Sequence, residues 1–418
     1  MKKILLFLPV LLLALASCSD DDNDIESNIV NPAPKEQWGK TLKGDDGTIF
    51  AYPDLYSNYW EYTWTKASTL HTALRFKGEF PHARFFSFSL YDDMNGSAIG
   101  GMADTDIVPD AGSVNPFEVS SSAHNYFTVY IVPADATDEQ VKALDCPNII
   151  RIPEGKERLA VAIRHYMGEG EYGGVDMPAI GAVDLATMKE VAAPMRMNSN
   201  VANFAVNYVE QKSDYLQDVP FFLAVHGAYY PNMSTDYLYA RTILADDSLY
   251  TFDFIPVPMP KNVDEYKNAK ARYWSMCFGS ALDTHSYYSI NYQQANVPDG
   301  QKCYFVVAMQ QNSRLDEVKQ RVKEQNDKGI NTQLIVWDRE RKSVEGKEIG
   351  NCIVTMYRNI LANPEWEHSI ANMKPTPYGN PVDRANADPE KDRMIARSAL
   401  GDYGPQGLKV STADYLSR

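Results

Sequence analysis

The chain has no surplus of positive charge. Forty Lys and Arg stand against 55 Asp and Glu, for a net charge of −15. Such a body repels a phosphate backbone, so nucleic acid is excluded as a partner. It has no second long apolar run: Ile4–Leu15 falls short of the roughly 20 residues a spanning helix needs, and nothing later exceeds it. It has only seven His and five Cys, with no Cys-x-x-Cys or Cys/His ligand spacing, which argues against a zinc site. It has no Gly-x-Ser-x-Gly elbow, phosphate loop, His-Glu-x-x-His or dinucleotide fingerprint, so the familiar hydrolase, nucleotidase and dehydrogenase signatures are missing. Paired carboxylates for glycoside cleavage remain open, because 55 acidic residues make such pairs uninformative.

What the chain does have is aromatic residues, 26 of them Tyr, and a 44% hydrophobic content that can fill a sizeable core. Strand-like segments recur between Gly, Pro, Asn and Asp clusters, as in antiparallel sandwiches. They are Tyr59–Trp64, Leu70–Phe76, Arg84–Tyr91, Tyr126–Val132, Arg158–Tyr166, Phe221–His226, Tyr237–Leu244, Arg272–Phe278, Tyr287–Tyr292, Cys303–Met309, Leu334–Trp337 and Ile353–Asn359. Helical patterns are fewer: Val201–Leu216, Leu315–Asn326 with Ser313 as N-cap, and a short one at Thr137–Leu144. Ala83-Arg84-Phe85-Phe86-Ser87 returns 188 residues later as Ala271-Arg272-Tyr273-Trp274-Ser275. Each copy leads on to an apolar strand and then to an Arg near the end of another, Arg164 and Arg358. The expectation is a mainly β protein of two related antiparallel β-sandwich lobes with a few helices, residues 46–195 and 196–408, followed by a tail at 409–418. Cys146, Cys277, Cys303 and Cys352 allow three full disulfide pairings or buried thiols, and sequence does not choose.

Strand alternation puts Arg84 with Phe86, Phe88 and Leu90, and Arg272 with Trp274, Met276 and Phe278, at the head of each buried face. A buried guanidinium needs acceptors. One reading is a salt bridge within the lobe, with Asp104 or Asp106 as partner for Arg84. The other is a fork that grips a ligand carboxylate or sugar hydroxyls, which makes Arg84 and Arg272 the ligand-binding candidates. His82 on the Arg84 face and His226 at the end of an apolar strand are candidate bases, though hydrogen-bonded structural histidines are commoner; His165 reads as structural. A catalytic set would draw on His82, Arg84, Asp104, His226 and Arg272. The acidic loop carrying Asp104, Asp106 and Asp110 could offer oxygens to calcium, but its spacing matches no known calcium loop and acidic turns are usually just solvated. No cofactor is expected beyond that possibility.

The start of the chain gives an address. Met1-Lys2-Lys3, the apolar run and Leu15-Ala16-Ser17-Cys18 form a cleavable leader. Leu-Ala-Ser-Cys resembles the lipobox of bacterial lipoproteins, which implies cleavage after residue 17 and a lipid on Cys18. Ser19-Asp20-Asp21-Asp22-Asn23-Asp24 resembles the acidic export tag of Bacteroidota surface lipoproteins, which implies an outer-membrane anchor facing the cell exterior. Losing Lys2 and Lys3 with the leader makes the remaining chain about −17, and residues 18–45 read as an acidic tether.

A wider resemblance covers almost the whole remaining chain. Its residues are Tyr52-Pro53-Asp54, Asn58-Tyr59-Trp60, Gly78-Glu79-Phe80-Pro81-His82-Ala83-Arg84 and Ala103-Asp104-Thr105-Asp106-Ile107-Val108-Pro109-Asp110. They continue through Gly112-Ser113-Val114-Asn115-Pro116-Phe117, Gly173-Gly174-Val175, Arg272-Tyr273-Trp274-Ser275-Met276-Cys277, Arg358-Asn359-Ile360-Leu361 and Gly401-Asp402-Tyr403-Gly404-Pro405. This pattern resembles a family of uncharacterised secreted bacterial proteins frequent in actinomycetes. More distantly it resembles the jelly-roll lobes of tandem domains of unknown function. The resemblance implies no activity and transfers no catalytic residue. Two functions fit: a surface protein binding an extracellular small molecule or glycan in a crevice between the lobes, or a hydrolase or lyase acting there. A structural or adhesive surface component, which would need no deep pocket, is a third.

Overall fold

The computed structural model describes residues 33–44, 52–199, 218–224, 230–373 and 395–418. Cys18 and its leader, His226 and the helix expected at 201–216 lie outside the described residues. The N-terminal lobe contains β1 (Leu42–Lys43), β2 (Ser57–Thr65), β3 (Thr72–Glu79), β4 (Phe85–Asp92), β5 (Ser97–Ala103), β6 (Tyr126–Val132), β7 (Ile149–Arg151), β8 (Arg158–Tyr166), β9 (Ala179–Asp184) and β10 (Glu190–Val191). The C-terminal lobe contains β11 (Asp218–Val219), β12 (Phe222–Leu223), β13 (Thr235–Ile243), β14 (Ser248–Phe254), β15 (Tyr273–Ser280), β16 (Ser286–Asn291), β17 (Cys303–Met309), β18 (Thr332–Trp337), β19 (Cys352–Ile360) and β20 (Gln406–Ser411). Short helices α1 (Pro34–Gln37), α2 (Asp138–Ala143), α3 (Tyr292–Ala295), α4 (Leu315–Asp327), α5 (Ile395–Leu400) and α6 (Thr412–Ser417) fill the connections.

Each lobe is a sandwich of two five-stranded sheets. In the N-terminal lobe they run β1-β2-β8-β4-β5 and β10-β9-β3-β6-β7; in the C-terminal lobe they run β12-β13-β19-β15-β16 and β11-β20-β14-β17-β18. Adding eleven to every strand from β1 to β9 converts the first lobe into the second, so the chain is an internal duplication. The registers agree: Arg164 opposes Tyr59 and Ser87, and Arg358 opposes Tyr237 and Ser275. Even the bulge in the β4–β5 hairpin, between Leu90 and Tyr91, recurs in β15–β16 between Phe278 and Gly279. The pairing is antiparallel except for one parallel pair per lobe, β6 with β7 and β17 with β18. A parallel neighbour needs a crossover, and the helices α2 and α4 lie in those two connections.

Alternation fills the two cores. Trp60, Trp64, Phe76, Phe86, Phe88 and Phe127 pack inside the N-terminal sandwich. Phe252, Phe254, Trp274, Phe278, Phe305 and Trp337 do so in the C-terminal one. β4 and β15 are nonetheless buried on both faces along their whole length. The reason is that the sheets containing β4 and β15 face each other: Phe85 and Tyr166 meet Tyr273 and Ile360 in one cluster between the lobes. The outer sheets are covered by helices, α4 and α6 on one and the segment around α2 on the other.

Three details differ from expectation. Ser313 does not cap α4; Arg314 takes the N-cap position without a side-chain bond, and the Asn312 carboxamide instead accepts from the Arg314 amide at 2.9 Å. Residues 409–418 are not a loose tail, because Lys409–Ser411 complete β20 against β14 and α6 buries Tyr415 against α4. The chain also enters its first lobe earlier than residue 46. Gln37 exchanges two hydrogen bonds with the main chain of Ile180, and the Trp38 indole donates to Pro178 O at 2.8 Å. Cys146, Cys277, Cys303 and Cys352 are free thiols, the last three buried. Among the described residues no helix is long and apolar enough to cross a membrane.

Candidate functional site at the seam between the lobes

The repeated Arg residues meet at the seam, in unlike surroundings. Arg272 is 2% exposed. Its Nη1 lies 3.3 Å from Asp104 Oδ1, and its guanidinium lies over the Tyr266 ring at 3.7 Å. Asp104 therefore pairs with the Arg of the other lobe. Burial pushes the Asp104 carboxyl up to about 6, although Arg272 and the Phe86 amide both pull it down. Arg84 is half-buried. Its Nε donates to Arg272 O and its Nη2 to Pro260 O, both at 2.7 Å, while its guanidinium lies over the Tyr266 and Tyr292 rings. Tyr292 is the repeat counterpart of Asp104, the same 188 residues on. The N-terminal copy thus answers the facing Arg272 with a carboxylate, and the C-terminal copy answers Arg84 with a ring.

Arg164 and Arg358, in the central strands β8 and β19, fasten the lobes crosswise. The Arg164 Nη2 donates to Tyr230 O at 2.7 Å, and the Arg358 Nη2 donates to Tyr52 O. Tyr52-Pro53-Asp54 leads into β2 and Tyr230-Pro231-Asn232 leads into β13, so each lobe holds the turn that opens the other. Both tyrosines have φ 54, a left-handed conformation uncommon outside glycine. The Tyr230 amide donates to Gly96 O at 2.9 Å, and the Tyr52 amide to Thr284 O at 2.7 Å. These acceptors too are 188 residues apart.

Beneath the Tyr52 turn lies a buried polar network. Asp54 Oδ2 accepts from Tyr273 OH at 2.8 Å and from Ser275 Oγ, while Arg358 Nη1 and Ser289 Oγ donate to Cys277 Sγ. Burial pushes the Cys277 thiol up to about 11 against the pull of Arg358. A reactive thiol needs the opposite shift, so this one serves as an acceptor rather than a nucleophile.

The other candidates lie apart from this network. His82 is exposed, with Nδ1 3.2 Å from Glu169 Oε2. Asp106 Oδ2 accepts from the Ala103 amide at 2.9 Å, and Asp110 Oδ2 from Thr128 Oγ1 at 3.0 Å. With Asp104 turned to Arg272, the three carboxylates serve three separate partners, and no metal-holding cluster occurs among the described residues. His165 is buried against Trp60 at 5.0 Å, and desolvation pushes its imidazole down to about 4, so it stays neutral.

Among the described residues one cleft, of about 60 Å³, lies in the C-terminal lobe at the rim of the seam. Pro256, Val257, Met259, Trp274, Tyr292, Val297, Pro298 and Asp299 line it. Tyr292 joins it to the Arg84 guanidinium, 4.9 Å from the ring centroid. Asp299 is exposed at its mouth. Sequence reasoning found Arg84 but missed Tyr292 and the Tyr-Pro turns. The recurrence of Tyr-Pro-Asx, 178 residues apart, was the available signal for the turns.

No family model matches the chain, and no curated protein matches it. Two solved structures are similar in overall shape. An uncharacterised protein from Burkholderia cenocepacia is 11% identical, with 90% of this chain and 83% of that chain covered at a TM-score of 0.49. A protein from Vibrio parahaemolyticus is 8% identical, with 82% and 91% covered at 0.38.

Proposed function

We propose that this chain is a lipid-anchored surface protein that binds an extracellular small molecule or glycan at the rim of the seam between its lobes. The observation that carries the reading is the cleft of Trp274, Tyr292, Met259, two prolines and two valines, with Asp299 at its mouth and Arg84 behind Tyr292. Apolar walls with a few convergent polar groups are the usual make-up of a small-molecule site. Aromatic rings beside a carboxylate suit a sugar, which has an apolar face and hydroxyl donors. A cleft of about 60 Å³ takes only part of such a ligand, so the remainder lies over Pro298 and Asp299. The lipobox-like Leu15-Ala16-Ser17-Cys18 and the acidic stretch after it support anchoring at the outer membrane with the lobes facing outward.

The test is a thermal-shift panel of oligosaccharides and small metabolites against the chain beginning at Cys18. A bound ligand stabilises the folded chain by mass action, by about 2.7 kcal/mol at a hundredfold excess over Kd, and so raises the melting temperature. One ligand class should raise it, and Tyr292→Ala and Asp299→Asn should each remove the rise while leaving the unliganded protein folded. A flat response across the panel, or a rise that survives both substitutions, overturns this cleft as the site.

A further inference from the structure

The duplication supplies an internal control for the two sockets that hold the Tyr-Pro turns. Their main-chain halves match: an amide to a hairpin carbonyl, and a carbonyl to an Arg. Their side-chain halves do not. In the C-terminal lobe Tyr52 lies against Gly279 and packs with Ala281, Cys352, Val354 and Ile243, an apolar seat. In the N-terminal lobe the counterpart of Ala281 is Asp93, that of Cys352 is Arg158 and that of Tyr239 is Glu61. The Tyr230 hydroxyl donates to Asp93 Oδ1, which also accepts from Ser199 Oγ at 2.8 Å, while Arg158 Nε reaches Asp93 Oδ2 at 2.5 Å. Asp93 is fully buried.

Glu61 stands beside this set with a second carboxylate. Among the described residues the groups that act on it are Asp93, Arg196 and Ser199, with Arg158 and the Tyr230 hydroxyl bound to Asp93 and Lys156 paired to the adjacent Asp92. The C-terminal lobe holds its Tyr-Pro turn with the Tyr52 ring in an apolar cluster and the Asp54 network beneath it. The Tyr230 hydroxyl sits instead in a charged seat.

We propose that the socket for Tyr230 is a proton-operated clasp: Glu61 carries a proton while the lobes are closed, and its loss sets two carboxylates side by side and loosens Tyr230, whereas the socket for Tyr52 does not respond. Burial, and then the charge of Asp93, push the Glu61 carboxyl from its ordinary range up to about 7. The folded group holds its proton more tightly than the unfolded one. Its favourable contribution is therefore complete below the ordinary carboxylate range and is lost as pH rises through about 7. The clasp loosens on the alkaline side.

Hydrogen exchange on the whole folded protein reads both sockets at once, through the Tyr230 amide bonded to Gly96 O and the Tyr52 amide bonded to Thr284 O. After correction for the base catalysis of exchange itself, protection at Tyr230 should fall several-fold between pH 6 and pH 8 while Tyr52 keeps its protection. In Glu61→Gln the fall at Tyr230 should disappear. Equal changes at the two amides, no change at Tyr230, or a fall that persists in Glu61→Gln would each overturn the clasp. The wild-type comparison decides the matter even if the variant does not fold.

Discussion

Arg272 and Arg84 show how far one residue type diverges between repeats. Sequence reasoning placed both at the head of a buried face and offered Asp104 or Asp106 to Arg84. The carboxylate went instead to the Arg of the other lobe, because the seam brings β4 and β15 together and Asp104 has Tyr292 as its counterpart. Alternation along one strand shows which side a residue takes, but not what the opposite lobe presents. Removing one partner of a buried pair typically costs about 3–5 kcal/mol. Arg272→Met should therefore lower stability by that order at pH 8. The cost should shrink at pH 5, where Asp104, already raised to about 6 and raised further without its Arg, takes up a proton. Denaturant midpoints at the two pH values check this; an equal loss at both would contradict the pairing.

At the scale of elements, the hairpins β4–β5 and β15–β16 are the working parts. Each holds a foreign Tyr-Pro turn at its bulge, but one offers the Tyr91 hydroxyl to Pro231 O at 2.7 Å and the other offers Gly279. A Cβ on Gly279 would stand 2.5 Å from both His285 O and the Tyr52 ring. Gly279→Ala should accordingly displace Tyr52 and cost about 1–3 kcal/mol, by the ordinary penalty for overpacking. Tyr91→Phe, which loses the hydrogen bond to Pro231 O, should cost about 1 kcal/mol. Urea melts of the two variants give the comparison, and a neutral Gly279→Ala would show that the socket is slack. Strands with continuous aromatic and β-branched character, such as β17 and β8, were legible in the sequence. β5 was not, since Gly100 and Gly101 interrupt it. β14 was missed beside Asp246 and Asp247, and β20 because it joins a sheet whose other strands end some 70 residues earlier.

For the molecule as a whole, the duplication was legible from the motif around Arg84 and Arg272, and the shared strand order extends it to the full lobes. The exchange of turns was not legible, because it depends on contacts between residues 66 to 306 positions apart, Arg164 with Tyr230 and Arg358 with Tyr52. Exchange makes each lobe incomplete without the other. Calorimetry at pH 6, with the clasp closed, should therefore give one cooperative transition, with the calorimetric and van't Hoff enthalpies equal. Two resolved transitions would mean that the lobes unfold independently. The docking of Gln37 and Trp38 also has a mechanical meaning. A pull on the chain ahead of Ala33 is taken first by those two side chains, gripping Ile180 and Pro178, before any tension reaches Tyr52. They act as a strain relief, as a clamp does on a cable, so a load on that end need not work the joint that holds the halves together.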